Sequence, residues 1–114
     1  MRIEKFEDII SWQKSKELAI LIYSLFKNTK DFSFIDQIKR AVVSIGNNIA
    51  EGYERKTNQE LKYFLYVAKG SCGEVRAMSY LAIELKYISQ KDFERIISLS
   101  TEISKLLSGF IKTL

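Results

Sequence analysis

Apolar residues recur along the chain with the spacing of an α-helix, most clearly between residues 34 and 49. Over that stretch the apolar positions that fall on one side of a helix are Phe34, Ile38, Ala41, Val42, Ile45 and Ile49. Positions three, four and seven apart share one face of a helix, so this spacing predicts a helix whose apolar face lies in a core. Three other stretches show the same spacing. The pattern therefore predicts four helices, at about residues 8–27, 34–51, 58–86 and 90–112.

Capping residues mark the start of three of these helices. A Ser or Thr followed three positions later by an acidic residue is the capping-box pattern, in which both side chains accept hydrogen bonds from free backbone N–H groups. This pattern begins at Ser33, Thr57 and Ser89. The predicted connections are only about three to six residues long, so successive helices must fold back beside one another. We expect an all-α fold, an antiparallel up-down-up-down four-helix bundle that forms one domain over residues 1–114.

The third helix has a second apolar stripe outside its core face. Its members are Tyr63, Val67, Gly70, Ala77 and Leu81. Contiguous apolar patches on a surface usually mark an interface, so we expect these residues to lie between copies in a homo-oligomer. Gly70 and Gly73 lie inside the same helix, where glycine is unfavourable. We interpret them as sites of close helix approach, and the alternative is that they only loosen the helix.

The first helix also has two apolar stripes. The predicted core face contains Trp12, Ala19, Ile22, Tyr23 and Phe26, and the second stripe contains Ile10, Leu18, Leu21 and Leu25. A single bundle would leave much of the second stripe in water. The stripe therefore adds to the expectation of self-association.

Composition removes most catalytic chemistry from consideration. The chain has no histidine, which is the usual general base and the usual protein ligand for zinc. It also lacks the glycine-rich loops that bind phosphate groups. Cys72 lies on a predicted core face without an activating histidine, so we interpret it as a structural thiol. We expect no catalytic residues, no metal site and no cofactor, and hence a protein that is not an enzyme.

The same features predict a location. A single cysteine cannot form an internal disulfide, and a buried thiol is typical of a reducing compartment. No apolar run reaches the roughly 18 residues that a membrane span requires, and no secretory signal pattern occurs. We expect a cytoplasmic protein that does not associate with membranes.

Motif residues resemble those of one bacterial family. Three motifs follow one another on the second helix: Gln37-Ile38-Lys39-Arg40-Ala41, Ser44-Ile45 and Asn48-Ile49-Ala50-Glu51-Gly52. They resemble the central signature of the proteins encoded in intervening sequences of bacterial 23S rRNA genes, although Gly46 stands where many members have proline. The resemblance implies a four-helix bundle that forms a homopentamer. It also implies a relation to the accessory variability determinant of diversity-generating retroelements, which binds nucleic acid and a reverse transcriptase.

Charge is compatible with a polyanionic ligand. The 18 Lys and Arg residues exceed the 14 Asp and Glu residues, which gives a net charge of +4. A ring of copies would repeat each positive patch and strengthen its field. The candidate nucleic-acid-binding residues are Lys14, Lys16, Lys39, Arg40, Arg55, Lys56, Lys62, Lys69 and Arg76. Lys62, Lys69 and Arg76 are spaced by seven, so they share one helix face that could follow a phosphate backbone.

The sequence leaves two other roles open for these basic residues. The row on the third helix could be an ordinary solvated face neutralised by Glu60 and Glu74, and Lys39 and Arg40 could form salt bridges between copies with acids such as Glu51. Our hypothesis is a non-enzymatic oligomeric module that binds RNA or DNA without sequence specificity. The alternative is a scaffold for a protein partner, for example a reverse transcriptase.

Asn47 and Asn48 either lock the end of the bundle or contact a ligand.

Overall fold

The computed structural model describes residues 2–114 and contains four α-helices and no strand in that range. The helices are α1 (Ile10–Leu25), α2 (Phe32–Tyr53), α3 (Asn58–Glu84) and α4 (Gln90–Lys112), and a 3₁₀ turn at Phe6–Asp8 precedes α1. The prediction of an all-helical fold with four helices is confirmed. None of the helices within residues 2–114 is both long enough and apolar enough to cross a bilayer.

The helices pack side by side in chain order, and α4 closes the ring against α1. Between α1 and α2, the ring of Phe26 lies 5.5 Å from that of Phe34, and a Cβ at Gly46 would lie 2.8 Å from Ser15 Oγ. Contacts with low residue numbers on α2 therefore involve high residue numbers on α1.

The pair α3 and α4 shows the same reversal of residue numbers. Cys72 Sγ donates a 3.0 Å hydrogen bond to the carbonyl oxygen of Ser100, and the Tyr80 ring lies 5.0 Å from that of Phe93. The two contacts place the end of α3 beside the start of α4. Each helix is therefore held to the next one by contacts along much of its length.

The core is one cluster of aliphatic side chains from all four helices. Ile22, Ile45, Leu65, Val75 and Ile103 are fully buried in it. Burial of each such side chain contributes about 1.5–3 kcal/mol, so the cluster is the main source of stability. The predicted apolar face of α2 is confirmed, because all of its six residues are buried.

The core face of α1 differs from the prediction. Leu18, expected in the outer stripe, is fully buried, whereas Tyr23, expected in the core, is 46% exposed. The true face includes Ser11 and Ser15, and the Ser15 hydroxyl donates a 2.7 Å hydrogen bond to the carbonyl of Trp12. A buried hydroxyl is tolerated when it is bonded in this way. Of the predicted face, Ile22 and Phe26 are buried as expected. Because the pattern counted only apolar residues, it missed the serines and shifted the rest of the face around the helix.

The caps of α3 and α4 are as predicted. Thr57 Oγ1 accepts a hydrogen bond from the backbone N–H of Glu60, and Ser89 Oγ accepts one from the backbone N–H of Asp92, each at 3.1 Å. Both residues have extended backbone angles directly before their helices. These local interactions depend only on neighbouring residues, which is why the sequence predicts them well.

The predicted cap of α2 at Ser33 is wrong. The helix begins at Phe32, and the capping residue is Asp31, whose Oδ1 accepts a 3.1 Å hydrogen bond from the backbone N–H of Phe34. Ser33 lies within the first turn and is exposed. Aspartate caps helices as well as serine does, so the choice between two neighbouring candidates depends on contacts elsewhere in the fold.

The glycines of α2 and α3 have different surroundings. A Cβ at Gly52 would lie 2.7 Å from Phe64 Cβ, so glycine is required where α2 and α3 approach. At Gly70 and Gly73 an added Cβ would have no atom within 4 Å. These two glycines do not bring helices together within one chain. Their predicted role in close approach therefore concerns only contacts between copies, and it stays a prediction.

Candidate nucleic-acid interface

The nine basic residues selected from the sequence do not form one surface on a single copy. Most of them fall into three groups, one on the side of α1 and α2, one on the side of α3 and α4, and one at the turn between α2 and α3. Lys14 lies apart from these groups between α1 and α4, where its Nζ is 3.8 Å from Glu17 and 3.9 Å from Glu102. The two carboxylates neutralise this lysine, which makes it the weakest candidate for binding phosphate.

The first group lies where α1 and α2 meet. Lys39 Nζ is 4.6 Å from the centre of the Tyr23 ring, and Lys16 Nζ is 5.6 Å from the centre of the Trp12 ring. Lys16 and Tyr23 are seven residues apart on α1, so they share the face that is turned towards α2. A cation above an aromatic ring keeps its positive charge, so both lysines remain able to attract an anion.

Arg40 belongs to the same side of the molecule. Its Nε donates a 3.0 Å hydrogen bond to Asp36 Oδ2, one turn earlier on α2. The two side chains are 80% and 65% exposed, and exposed pairs at this spacing contribute only about 0.3–0.5 kcal/mol. A phosphate can therefore replace the carboxylate at little cost.

The second group is the row of Lys62, Lys69 and Arg76 on α3. Tyr80 follows Arg76 by four positions and packs against Phe93 of α4, so the row lies on the side of α3 that faces α4. All three side chains are partly buried. Within residues 2–114, no carboxylate lies within 4.0 Å of any of them. The row therefore keeps its three positive charges unpaired.

The acids expected beside this row have other partners. Glu60 Oε1 accepts a 3.0 Å hydrogen bond from the Thr57 hydroxyl, and Glu74 Oε2 accepts a 3.4 Å hydrogen bond from Nε2 of Gln37 on α2. Neither acid lies within 4.0 Å of a charged nitrogen of the row. The structure thus does not show the neutralised face that the sequence left open.

The third group lies at the turn between α2 and α3. Arg55 donates a 2.7 Å hydrogen bond to Glu51, and its guanidinium group lies 4.9 Å from the centre of the Phe64 ring. These contacts hold the Arg55 side chain against the bundle. Lys56 is exposed in the turn. The pair of Arg55 and Glu51 is exposed and therefore weak, so the salt bridges expected between copies from Lys39 and Arg40 to Glu51 stay a prediction.

The predicted interface stripe of α3 lies on the outside of the bundle. Tyr63 is 64% exposed and Leu81 is 50% exposed, Gly70 and Ala77 are exposed, and Val67 is partly buried. The structure shows a longer stripe than the sequence suggested. Its added members are Tyr66, Gly73 and Tyr80.

Spacing could have revealed the added members of the stripe. The positions 63, 66, 70, 73, 77 and 80 alternate by three and four residues, which is the repeat of a helix seam that packs against another helix. Tyr66 is 56% exposed and Tyr80 is 57% exposed. The bundle therefore leaves a seam of aromatic and small residues uncovered along most of α3.

The one cysteine is not placed for chemistry. Cys72 is fully buried, and its burial raises the pKa of the thiol to about 11. The thiol is thus protonated at neutral pH, and the thiolate is the form that reacts. Nor do residues 2–114 bring together three or more carboxylate or thiol side chains that could hold a metal ion.

Comparison with known proteins places the chain in a family. The sequence model of the 23S rRNA-intervening sequence proteins matches residues 7–109. The chain belongs to this family. The match begins within the 3₁₀ turn and ends in the last turns of α4, so the family sequence includes all four helices. Among curated proteins, none matches significantly.

A solved structure from the same family is closely similar. It is a crystal structure of a protein of unknown function from the S23 ribosomal protein family of Bacteroides thetaiotaomicron VPI-5482. The two chains are 34% identical and superpose with a TM-score of 0.86 over 90% of this chain and 99% of the other. The resemblance read from the sequence is therefore confirmed at the level of the family, and the relation to the accessory variability determinant stays a prediction.

Proposed function

We propose that this protein is a non-enzymatic, self-associating four-helix bundle that binds nucleic acid through basic surface on α2 and α3. The observation that supports this function most directly is the row of Lys62, Lys69 and Arg76. Its charges lack carboxylate partners, while nearby Glu60 and Glu74 bind other side chains. The reversed residue numbers at the helix contacts favour an antiparallel up-down-up-down arrangement. In that arrangement the row extends along the bundle beside α4.

The spacing of the row suits a phosphate backbone. Residues seven apart on a helix are separated by about 10 Å along its axis, so the row spans about 20 Å. Each phosphate that contacts a cation releases condensed counterions, which favours binding and makes it dependent on salt. Contacts of this kind do not read bases, so this part of the interaction is independent of sequence.

Self-association increases the effect of a modest charge. The seam on α3 exposes Tyr63, Tyr66 and Tyr80 to water in a single copy, and a second copy would cover them. Family resemblance implies a homopentamer, in which each basic patch appears five times around a symmetry axis. Repetition of this kind can turn a subunit of charge +4 into an assembly with a strong positive field.

The chemistry of the chain favours binding over catalysis. No histidine is present, and the Cys72 thiol is buried with a raised pKa. The pKa values that are clearly shifted belong to Asp31, Cys72 and Tyr87, and none of these residues belongs to the basic row. Shifted groups gathered in a cleft are the usual sign of a catalytic site. A reduced, buried thiol also fits a protein that acts in the cytoplasm.

Charge reversal tests the proposed function. We expect the wild-type protein to bind labelled RNA in fluorescence polarisation at about 50 mM salt and to lose affinity as salt rises. Simultaneous Lys62→Glu, Lys69→Glu and Arg76→Glu should reduce affinity at least about tenfold and lower the salt slope by roughly 2–3. The matched control reverses Lys27, Lys30 and Lys91, which are exposed elsewhere and change the net charge equally.

Two results would contradict the proposal. One is the absence of RNA and DNA binding by the wild-type assembly at low salt. The other is an equal loss of affinity in both triple variants, which would show that only net charge matters. If charge reversal leaves a pull-down of a protein partner unchanged while nucleic acid does not bind, the scaffold function is favoured instead.

Self-association is tested separately by light scattering coupled to size exclusion. Gly70→Glu places a carboxylate in the seam of α3, where the structure of one copy leaves open space. We expect this variant to dissociate while its circular dichroism remains helical. Gly109→Glu is the control, because a Cβ at Gly109 also meets no atom within 4 Å and the residue lies on α4. A wild-type monomer at micromolar concentration would refute the assembly.

A further inference from the structure

A shallow groove runs along the outward face of α2, on the opposite side of that helix from the core. Its volume is about 470 Å³, and Tyr23 of α1 forms one wall. Lys39 and Arg40 supply positive charge at one end, and Asn47 lies about two turns further along α2. The groove thus combines an aromatic ring, two cations, the carboxylate of Asp36 and a carboxamide within one small surface.

The two asparagines of α2 have different environments. Nδ2 of Asn48 donates hydrogen bonds to the carbonyl and the hydroxyl of Ser44, at 2.8 and 2.9 Å, and the Ser44 hydroxyl shares a 2.9 Å hydrogen bond with that of Ser71 on α3. Asn48 therefore helps to hold α2 against α3. Asn47 is exposed, and within residues 2–114 no side-chain hydrogen bond involves it.

The contacts within the fold do not explain why an asparagine occupies position 47. Asparagine is a poor residue for a helix interior, and nothing else in the fold uses the Asn47 amide. A carboxamide has one donor group and one acceptor group side by side, and this pair is complementary to the edge of a nucleobase, that of adenine above all.

We infer that the groove holds one unpaired nucleobase of a single strand, with the base stacked on Tyr23, its edge on Asn47 and the adjoining phosphate on Arg40. This inference rests on the proposed function and specifies its ligand as single-stranded nucleic acid. In a duplex the base faces are covered by their neighbours, so a ring at a groove wall can stack only on a base that is free.

The position of Lys39 is compatible with this ligand. Its ammonium group lies above the Tyr23 ring, where a base would stack. A cation at an exposed aromatic ring is held weakly, whereas stacking of a base on a ring contributes more. The long lysine side chain can therefore move to a phosphate as the base takes its place. Arg40 is similarly available, because its Asp36 partner is largely exposed.

The test compares a single strand with a duplex of the same sequence. The probe is a labelled oligoadenylate of about twelve nucleotides, free or paired with oligouridylate, and the readout is fluorescence polarisation. We expect the wild-type protein to bind the free strand more tightly. Tyr23→Leu should weaken binding of the strand by about 5- to 100-fold and leave the duplex affinity and the salt slope unchanged.

Two variants serve as controls for the loss of an exposed ring. Tyr23→Phe keeps the ring and should bind as the wild type does. Phe32→Leu removes an aromatic side chain that is 77% exposed at the start of α2 and does not line the groove, and it should also bind normally. Asn47→Ala should weaken binding of oligoadenylate more than binding of oligouridylate, because the lost amide reads a base edge.

The outcomes separate this inference from the proposed function. If Tyr23→Leu binds the strand like the wild type, while reversal of the α3 row still weakens binding, the groove is not a base site and the proposed function stands. If the wild-type protein binds neither strand nor duplex, the proposed function fails and the inference fails with it. If Tyr23→Leu and Phe32→Leu weaken binding equally, the effect is not specific to the groove and the inference is overturned.

Discussion

The hydroxyl of Tyr87 donates a 2.7 Å hydrogen bond to Oδ2 of Asp31, across 56 residues of sequence. Asp31 caps α2 with its other carboxylate oxygen, and Tyr87 lies in the turn between α3 and α4. The Tyr87 ring also packs edge-on against Phe34, with 5.3 Å between ring centres. One carboxylate thus joins the two loops at this end of the bundle and fixes where α2 begins.

This pair predicts a stability difference that depends on pH at both extremes. The hydrogen bonds from Tyr87 and from the Phe34 backbone lower the pKa of Asp31 below its usual 3.8, and the bond to Asp31 raises the pKa of Tyr87 above its usual 10.0. The stabilising contact is complete between those two values. It is lost as pH falls through the lowered pKa of Asp31, and as pH rises from the usual value of tyrosine to the raised pKa of Tyr87.

Tyr87→Phe isolates the contact, because it removes only the hydroxyl. We expect the midpoint of thermal unfolding to fall by a few degrees at neutral pH. The difference from the wild type should stay constant from about pH 5 to 9 and shrink at both ends. Thermal unfolding followed by circular dichroism at a series of pH values measures this difference. A difference that is the same at every pH would contradict the assignment to this hydrogen bond, because the bond depends on an ionised Asp31 and a protonated Tyr87.

Lys86 predicts a stabilising substitution. It has a left-handed backbone, with φ of 62°, directly after the capping residue Leu85 of α3. The N–H groups of Lys86 and Tyr87 donate to the carbonyls of Ile83 and Ala82, which is the hydrogen-bond pattern of a helix end that normally carries glycine. Lys86→Gly should raise the free energy of unfolding by about 0.5–1 kcal/mol, because it removes the strain of a Cβ in this conformation.

The control for this substitution is Lys86→Ala. It removes the same charge and most of the side chain but keeps the Cβ, so it should leave the free energy of unfolding nearly unchanged. Chemical denaturation of the wild type and the two variants at one salt concentration measures their free energies of unfolding. An equal gain from alanine and glycine would show that loss of the lysine charge, and not relief of backbone strain, is responsible.

The sequence predicts those elements whose interactions are local. The α2 face is predicted because its core positions are all apolar, and the caps at Thr57 and Ser89 are predicted because each needs only a residue three positions away. The cap of α2 is not predictable in this way, because Asp31 is held by Tyr87 from another loop. The end of α3 also gave no signal, since Lys86 occupies a position where glycine is the usual marker.

In the candidate site, too, the sequence predicts what depends on local spacing and not what depends on contacts between helices. The row of Lys62, Lys69 and Arg76 follows from a spacing of seven residues, which sequence reasoning can read. That Glu74 binds Gln37 of α2, and so leaves the row unpaired, depends on how two helices are turned towards each other. The contact between Tyr23 and Lys39 was missed for a related reason. Apolar spacing assigns Tyr23 to the core, because the buried serines of α1 conceal the orientation of that helix.

Cys72 should be inert in the native protein. The thiol pKa is about 11 in place of the usual 9.0, so the thiolate fraction at neutral pH is about one-hundredth of that of an unshifted thiol. The side chain is also fully buried. We expect labelling by a thiol reagent at pH 8 to be at least about 100-fold slower than in denaturant. Rapid labelling of the folded protein, with an unchanged helical circular dichroism spectrum, would show that α3 and α4 separate readily around this residue.

At Gly52 the close approach of α2 and α3 leaves no room for a side chain, so Gly52→Ala should destabilise the bundle. The added Cβ would lie 2.7 Å from Phe64 Cβ and 3.1 Å from Leu61 Cδ1. Phe64 Cβ is attached directly to the α3 backbone, so α2 and α3 must move apart, at a cost of about 1–3 kcal/mol. Gly109→Ala in α4 meets no atom within 4 Å and should instead stabilise by up to about 1 kcal/mol. Urea denaturation measures both. A gain in stability from both substitutions would contradict the close approach of α2 and α3, because it is the result that helix propensity alone predicts.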